Sequence, residues 1–249
     1  MRFRILIAAL LACASTPLIG QATAAPSLSA NEVIAKMFAH DQQRQTAAGG
    51  YTGFREYVLD NPGFDKQARM VVSVTCGPDG TEYFQVVSEQ GWKLANNRVL
   101  HKMLESESKT SRPPEFAKVR ITSDNYAFQL ITVAPLEGRL AYEIRVIPKR
   151  QDAYLFRGRI WVDAEDYALA RAEGEPAQNP SFWVRSVHFT QEFRKSGEYW
   201  LPWSTTSITE ARFFGKTEID IHYFDYLARS AKADKDTNPE LVEARYVKR

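Results

Sequence analysis

The chain has 249 residues, 44% of them hydrophobic and 12% aromatic, with 32 Lys/Arg against 30 Asp/Glu. Removal of the first 24 residues takes away Arg2 and Arg4 but no acid, so the remainder has 30 basic and 30 acidic side chains and a formal net charge of zero. That balance excludes general nucleic-acid binding, which needs an excess of cations to displace counterions. It also supplies no overall electrostatic reason to sit on an anionic membrane.

Arg2 and Arg4 precede a short apolar stretch at 5–11, and Ala22-Thr23-Ala24 stands before Ala25. This is the pattern of a secretory signal peptide, cut after Ala24. The apolar stretch is far short of the ~20 residues of a spanning helix, and no transmembrane segment is expected in the mature chain. The destination is the periplasm. A second reading lipidates Cys13 within Leu11-Ala12-Cys13, which leaves the A-x-A site unused. Once cut, the chain keeps Cys76 alone and can form no internal disulfide despite an oxidising compartment. Cys76 is then expected to pack as a small apolar residue at a strand end.

The mature chain opens with a helix. Ser29 and Glu32 form a capping box, and Val33, Ile34, Met37 and Phe38 share one face until Gly49-Gly50 breaks the run. Three strands follow at 52–59, 70–76 and 83–87, divided by Asp60-Asn61-Pro62-Gly63 and Gly77-Pro78-Asp79-Gly80. A second helix shows the stripe Val99, Leu100, Met103 and Leu104, stops at Pro113-Pro114, and leads to a short turn at 115–119. Seven strands complete the pattern, read as a meander from Tyr126 to Leu227, with Gly138, Gly197 and Gly215 between strands. The strands at 83–87 and from Tyr126 to Val133 are apolar on both faces, so they are expected to be covered on both. Core packing is the default for all five tryptophans, Trp92, Trp161, Trp183, Trp200 and Trp203.

A sheet of this many antiparallel strands must curl. The fold class is mainly β (α+β): an unclosed, strongly curved antiparallel β-barrel of about ten or eleven strands, with helices covering the concave face. The expected division is 1–24 signal peptide, 25–229 one half-barrel domain, and 230–249 a charged tail.

Motifs for chemistry are missing from the sequence. There is no G-x-S-x-G, Walker loop or G-x-G-x-x-G. His40, His101, His188 and His222 have no metal-ligand spacing, and His188 and His222 fall on solvent-facing parities. Asp163, Glu165 and Asp166 read as turn residues, and Arg157 and Arg159 as an outer face paired with acids across strands. No catalytic residue, metal or cofactor is expected.

The block from Phe156 through Arg157-Gly158-Arg159-Ile160-Trp161 to Asp166 continues into Arg171-Ala172-Glu173-Gly174-Glu175-Pro176. Asn179-Pro180-Ser181-Phe182-Trp183 and Trp200-Leu201-Pro202 follow. This resembles bacterial outer-membrane lipoprotein-sorting proteins, of the superfamily of the periplasmic lipoprotein carrier and the sigma-factor regulatory protein, continuously from about Glu82 to Leu227. The resemblance implies an unclosed barrel of about eleven strands plugged by helices. It also implies a non-enzymatic protein that holds lipid or lipoprotein acyl chains in an apolar cavity. The alternative is an envelope sensor that docks an inner- or outer-membrane protein partner. The carrier has a lid-closing arginine; no motif here fixes its match, and Arg55 is the one arginine named for it. From the apolar parities, the expected cavity lining is Met70, Val72, Val74, Leu140, Tyr142, Ile144, Val146, Val187, Phe189, Ile219, Ile221 and Tyr223. Met37, Leu100, Met103 and Leu104 lie on the covering helices.

Overall fold

The capping box forms as expected: the Ser29 amide and hydroxyl both donate to Glu32 Oε2 (2.8 and 2.7 Å), and the Glu32 amide donates back to Ser29 Oγ (3.3 Å). The computed structural model describes residues 28–197 and 199–230; the signal peptide, Cys13 and residues 231–249 lie outside the described residues. Helix α1 (Ala30–Ala47) leads into β1 (Ala48–Asn61), β2 (Lys66–Cys76) and β3 (Glu82–Gly91). A helical run then comprises α2 (Lys93–Ala95), a π-turn (Asn96–Leu100) and α3 (His101–Ser111). Pro113 does more than stop this run. It opens α4 (Pro113–Val119), at a position whose N–H has no intrahelical partner in any case. The remaining strands are β4 (Tyr126–Leu136), β5 (Arg139–Pro148), β6 (Phe156–Asp163), β7 (Leu169–Pro176), β8 (Val184–Ser196), β9 (Tyr199–Ala211) and β10 (Gly215–Ser230). β10 runs to the end of the described residues, so the first residue assigned to the tail, Ser230, is strand.

All ten strands form one antiparallel sheet in the order β3-β2-β1-β10-β9-β8-β7-β6-β5-β4. β1 pairs with β10, so the N-terminal three strands join the C-terminal end of the meander and not its start. The sheet is unclosed, with β3 and β4 at its two edges. The chain must therefore pass from one edge to the other between Gly91 and Tyr126, and the helices α2 to α4 are that passage.

Curvature has local causes. Register shifts interrupt the ladders at Thr52/Phe54, Val71/Val72, Leu130/Thr132 and Glu192/Phe193, and such bulges increase local twist. Gly158 and Gly174 face each other across β6 and β7. A Cβ on Gly158 would lie 2.0 Å from the Glu173 carbonyl oxygen, and one on Gly174 2.2 Å from that of Arg157, so only glycine permits this approach.

Two expectations fail. β3 and β4 are edges and are not covered on both faces: Tyr83, Val86 and Val87, and Ile131 and Val133, are exposed. Apolar content on both faces cannot tell a buried central strand from an edge, because edge position is set by distant pairing. Core packing also fails for four tryptophans: Trp183 and Trp203 are exposed, Arg194 lying 4.0 Å from the Trp203 ring centre, and Trp161 and Trp200 are half-buried away from the core. Trp161 lies on the convex face between the guanidinium groups of Arg159 and Arg171.

The outer face follows the sequence reading. Arg159 bridges Glu143 (2.9 Å) and Glu173 across three strands, and Arg157 donates to the Ala177 carbonyl (2.7 Å). His188 and His222 are exposed. Cys76 is free and buried at the end of β2, and burial pushes its thiol up to about 11, away from thiolate chemistry.

The acidic turn after β6 is a structural clamp. Asp163 accepts the amides of Glu165 (3.0 Å) and Asp166 (2.8 Å) and both ends of the Arg139 guanidinium (2.6 and 2.9 Å). Asp166 then takes Lys195 (2.8 Å) and the Trp200 indole N–H (2.9 Å), tying this turn to β8 and β9. Burial alone would raise the Asp163 carboxyl, but Arg139 and the two amides outweigh it and hold it below the usual carboxylate range. A depressed carboxylate stabilises the fold above its unfolded value, near pH 4, and that contribution is lost as pH falls through the folded value. Asp163→Asn is expected to cost about 1–3 kcal/mol at neutral pH. The variant should also show a shallower loss of stability on acidification than the parent, measured by urea unfolding across pH.

Candidate functional site: the concave seam

Cross-strand register places the expected lining on one face. Met70 pairs with Tyr57, Tyr57 with Ile221 and Ile219 with Ser207. Phe189 pairs with Ser207 and Gly174, and Ile144 with Ile160. Register partners share a face, so the row runs continuously across the sheet. The helices lie on this face, but they divide it in two.

The first buried cluster joins α1 (Ala30, Val33, Ile34, Met37) to Tyr126, Ile144, Val146, Ile160, Val162 and Ala172 of β4 to β7. Tyr142 and Phe189 pack at its margin. The second joins Ala95, Leu100 and Leu104 of the α2–α3 run to Tyr57, Leu59, Met70, Val72, Val74, Ile219, Ile221 and Tyr223 of β1, β2 and β10, with Met103 partly buried against it. Of the sixteen expected residues, fourteen belong to or border these clusters. Val187 belongs to neither, and Leu140, expected as lining, sits exposed at a strand end beyond the helices. Alternation gives Leu140 the right parity but cannot say how far along the strand the covering helix reaches.

Between the clusters lies a seam. Its floor is the concave row of β8 and β9, Val187, Phe189 and Gln191 beside Thr205, Ser207 and Thr209, all half-buried. Neighbouring strands are about 4.8 Å apart, so a two-strand floor is roughly 10 Å wide. Hydroxyls and small side chains line the middle; Phe189 forms the edge of the floor toward the first cluster, and Ile219, Ile221 and Tyr223 form the wall toward the second. Sequence parity alone could have found Thr205, Ser207 and Thr209, but a search for apolar lining passes over them. A cavity of about 230 Å³ lies elsewhere, on the face away from the helices, beside Arg139, Asp163, Arg171, Lys195 and Trp200.

One wall is fastened by a buried ionic network. Arg55 of β1, only 5% exposed, donates to Glu82 Oε1 at the start of β3 (2.5 Å), to Glu107 Oε2 of α3 (2.5 Å) and to the Tyr226 hydroxyl (3.1 Å). Its guanidinium lies 5.0 Å from the Phe84 ring centre and 5.2 Å from that of Tyr223. The Tyr57 hydroxyl donates to Glu107 (3.1 Å), Tyr51 to Glu82, and Tyr223 shares a hydrogen bond with Thr205 on the seam floor (3.1 Å). Ser108 and Ser111 of α3 add bonds to the Glu82 carbonyl (3.4 Å) and from its amide (3.0 Å). Arg55 thus holds α3 onto the sheet. By contrast α1 is held chiefly by apolar contact, with Arg44 donating to the Asp166 carbonyl (3.1 Å).

Two carboxylates share one guanidinium here. Burial, with the like charge of Glu82, pushes the Glu107 carboxyl up in spite of Arg55. Burial likewise raises Tyr51, Tyr57 and Tyr226, so all three stay protonated: Tyr51 and Tyr57 donate to the carboxylates and Tyr226 accepts from Arg55. Among the described residues no group of His, Cys, Asp or Glu has a metal-binding arrangement.

A family of unknown function (DUF5686) matches residues 121–228, from the approach to β4 through most of β10. No curated protein matches the chain. Among solved structures, the chain is similar to a LolA superfamily protein from Nitrosomonas europaea, at 11% identity and a TM-score of 0.40, over 86% of this chain and 97% of that one. It is also similar to an outer membrane lipoprotein-sorting protein domain from Vibrio parahaemolyticus, at 12% identity and a TM-score of 0.40, over 84% and 97% of the two chains. A third similar structure is the Pseudomonas aeruginosa MucA/MucB complex, at 10% identity and a TM-score of 0.25, over 78% and 100%.

The network has a clear energetic signature. Arg55→Met leaves two carboxylates without their cation and is expected to cost about 3–5 kcal/mol. Glu107→Gln keeps hydrogen bonds to Arg55 and Tyr57 and should cost less than about 1.5 kcal/mol. In the parent protein Glu107 weakens the fold as pH rises from its unfolded value of about 4.3 through its raised folded value, because ionisation works against burial. The Gln variant lacks that slope; urea unfolding of both proteins from acid to neutral pH measures it.

Proposed function

We propose that this chain is a periplasmic, non-enzymatic protein that holds an acyl chain of a lipid or lipoprotein in the concave seam. The observation that carries the reading is the division of the concave face into two separately buried clusters with a half-buried strip between them. A continuous filled core would leave no such strip. Burial of hydrocarbon contributes about 0.8 kcal/mol per CH₂, so a long tail gains on the order of 10 kcal/mol before costs. The hydroxyl-lined floor limits that gain, which suits a cargo that must leave again. The site needs no placed catalytic group, in keeping with the absence of catalytic motifs from the sequence.

Native mass spectrometry of protein gently purified from the cell envelope is expected to show co-bound lipid. Protein free of lipid that also ignores added fluorescent fatty acids would overturn the proposal. Ser207→Trp, which fills the seam floor, is expected to weaken fatty-acid binding by at least roughly tenfold while leaving thermal stability close to that of the parent.

A second reading, an envelope sensor docking a membrane-protein partner, draws support from the exposed Tyr83 and Val87 on edge strand β3, where a partner strand could add. Crosslinking in the envelope separates the two: one defined membrane partner favours docking, and a spread of lipoproteins favours carriage.

A further inference from the structure

Six aromatic rings gather at one end of the sheet; Trp92 packs against the margin of the second buried cluster and the other five belong to neither cluster. They come from turns far apart in sequence: Phe64 between β1 and β2, Trp92 before α2, Phe182 and Trp183 before β8, and Phe213 and Phe214 between β9 and β10. Phe64, Trp92 and Phe214 form one triad, with ring centres 5.8 to 6.2 Å apart. Trp183 lies 5.3 Å from Phe182 and 5.1 Å from Phe213, so the second group joins the first through adjacent residues of one turn. Tip aromatics ordinarily tuck inward, but Phe182 is 72% exposed, Phe213 67% and Trp183 54%. A contiguous apolar patch of this kind marks an interaction surface.

Its charge says what covers it. The turns that bear the rings, 62–66, 91–94, 177–185 and 211–216, contain five basic residues, Lys66, Lys93, Arg185, Arg212 and Lys216, and one acid, Asp65. All five cations are exposed, and among the described residues none is in an ion pair with an acid. Asp60, Glu210 and Glu218 stand one or two residues outside these turns, Glu210 opposite Lys216 in the β9–β10 ladder and Asp60 opposite Glu218 in the β1–β10 ladder. Arg212 lies 4.6 Å from the Phe182 ring centre and donates to the Phe182 carbonyl (3.0 Å), which fixes a cation beside the most exposed ring. The whole chain after residue 24 is formally neutral, so this concentration of positive charge is local.

We infer that this aromatic tip is a membrane-docking surface that seats Phe182, Trp183 and Phe213 at the headgroup level of an anionic bilayer while the surrounding Lys and Arg side chains meet lipid phosphates. Phe and Trp suit the interface because a flat ring lies among the headgroups, and long basic side chains reach phosphate from below it. The cation ring adds attraction that grows with anionic lipid and falls with salt. The seam floor ends at the same place, since Val187 and Thr209 lie within three residues of the β8 and β9 ends that carry the tip. The surface stands without the acyl-chain reading.

The test is partition onto vesicles of phosphatidylethanolamine with phosphatidylglycerol, followed by co-sedimentation and tryptophan fluorescence. The parent protein is expected to bind, with a blue-shifted emission that is lost in Trp183→Phe, and to bind phosphatidylcholine vesicles less. Phe182→Ser with Phe213→Ser should lower partition by at least about tenfold, and Lys66→Gln, Arg212→Gln and Lys216→Gln together should remove the dependence on salt. These positions are exposed, and matched thermal melts confirm that the variants fold. Failure of the parent to bind, or equal binding by the double serine variant, overturns the inference, as does capture of a protein partner at the tip without vesicle binding. Ser207→Trp is expected to partition like the parent, so loss of fatty-acid binding and loss of docking are separately visible.

Discussion

The pairing of β1 with β10 governs this molecule. It places β3 at one edge of the sheet and β4 at the other, although the two are separated in sequence only by α2, the π-turn, α3 and α4. A chain that leaves one edge and must enter the other crosses a face of the sheet. The apolar row on the concave face is where a helical stripe such as Leu100 and Leu104 can be buried, so the crossing takes that side. The covering layer is therefore a consequence of strand order as much as of helix amphipathicity.

The two walls of the seam are built by different forces. Under α1 the contacts are apolar and non-directional, so the helix can shift with modest loss. Under α3 they include a buried guanidinium with two carboxylates and three tyrosine hydroxyls, which have one good geometry and are costly to break singly. The firm wall is also wired to the floor, through Tyr223 and Thr205. For the proposed holding of an apolar tail, one stiff side and one that yields serve better than two of either kind.

Much of the fold was legible from side-chain pattern. Ser29 and Glu32 marked the start of α1, and alternation marked strands such as β2, β5 and β10, because a capping box and a two-residue period are local properties of the chain. Arg55 was less legible: a lone arginine in a strand shows neither its burial nor its partners Glu82, Glu107 and Tyr226, which come from three other elements. The seam floor escaped because Thr205 and Ser207 look like surface residues of an amphipathic strand. The aromatic tip escaped because Phe64, Phe182 and Phe213 each look like an ordinary turn residue.

The sequence by itself determined the element types, the parity of the apolar residues along each alternating strand, and the outward, acid-paired setting of Arg159, whose partners in the structure are Glu143 and Glu173. Each of these depends on residues a few positions apart or on neighbouring strands of a hairpin. Only the tertiary structure decided which strands became edges, where the concave face stays uncovered, and that six distant rings share one corner. Those features depend on long-range pairing, and alternation along a strand is the same whichever strand lies beside it.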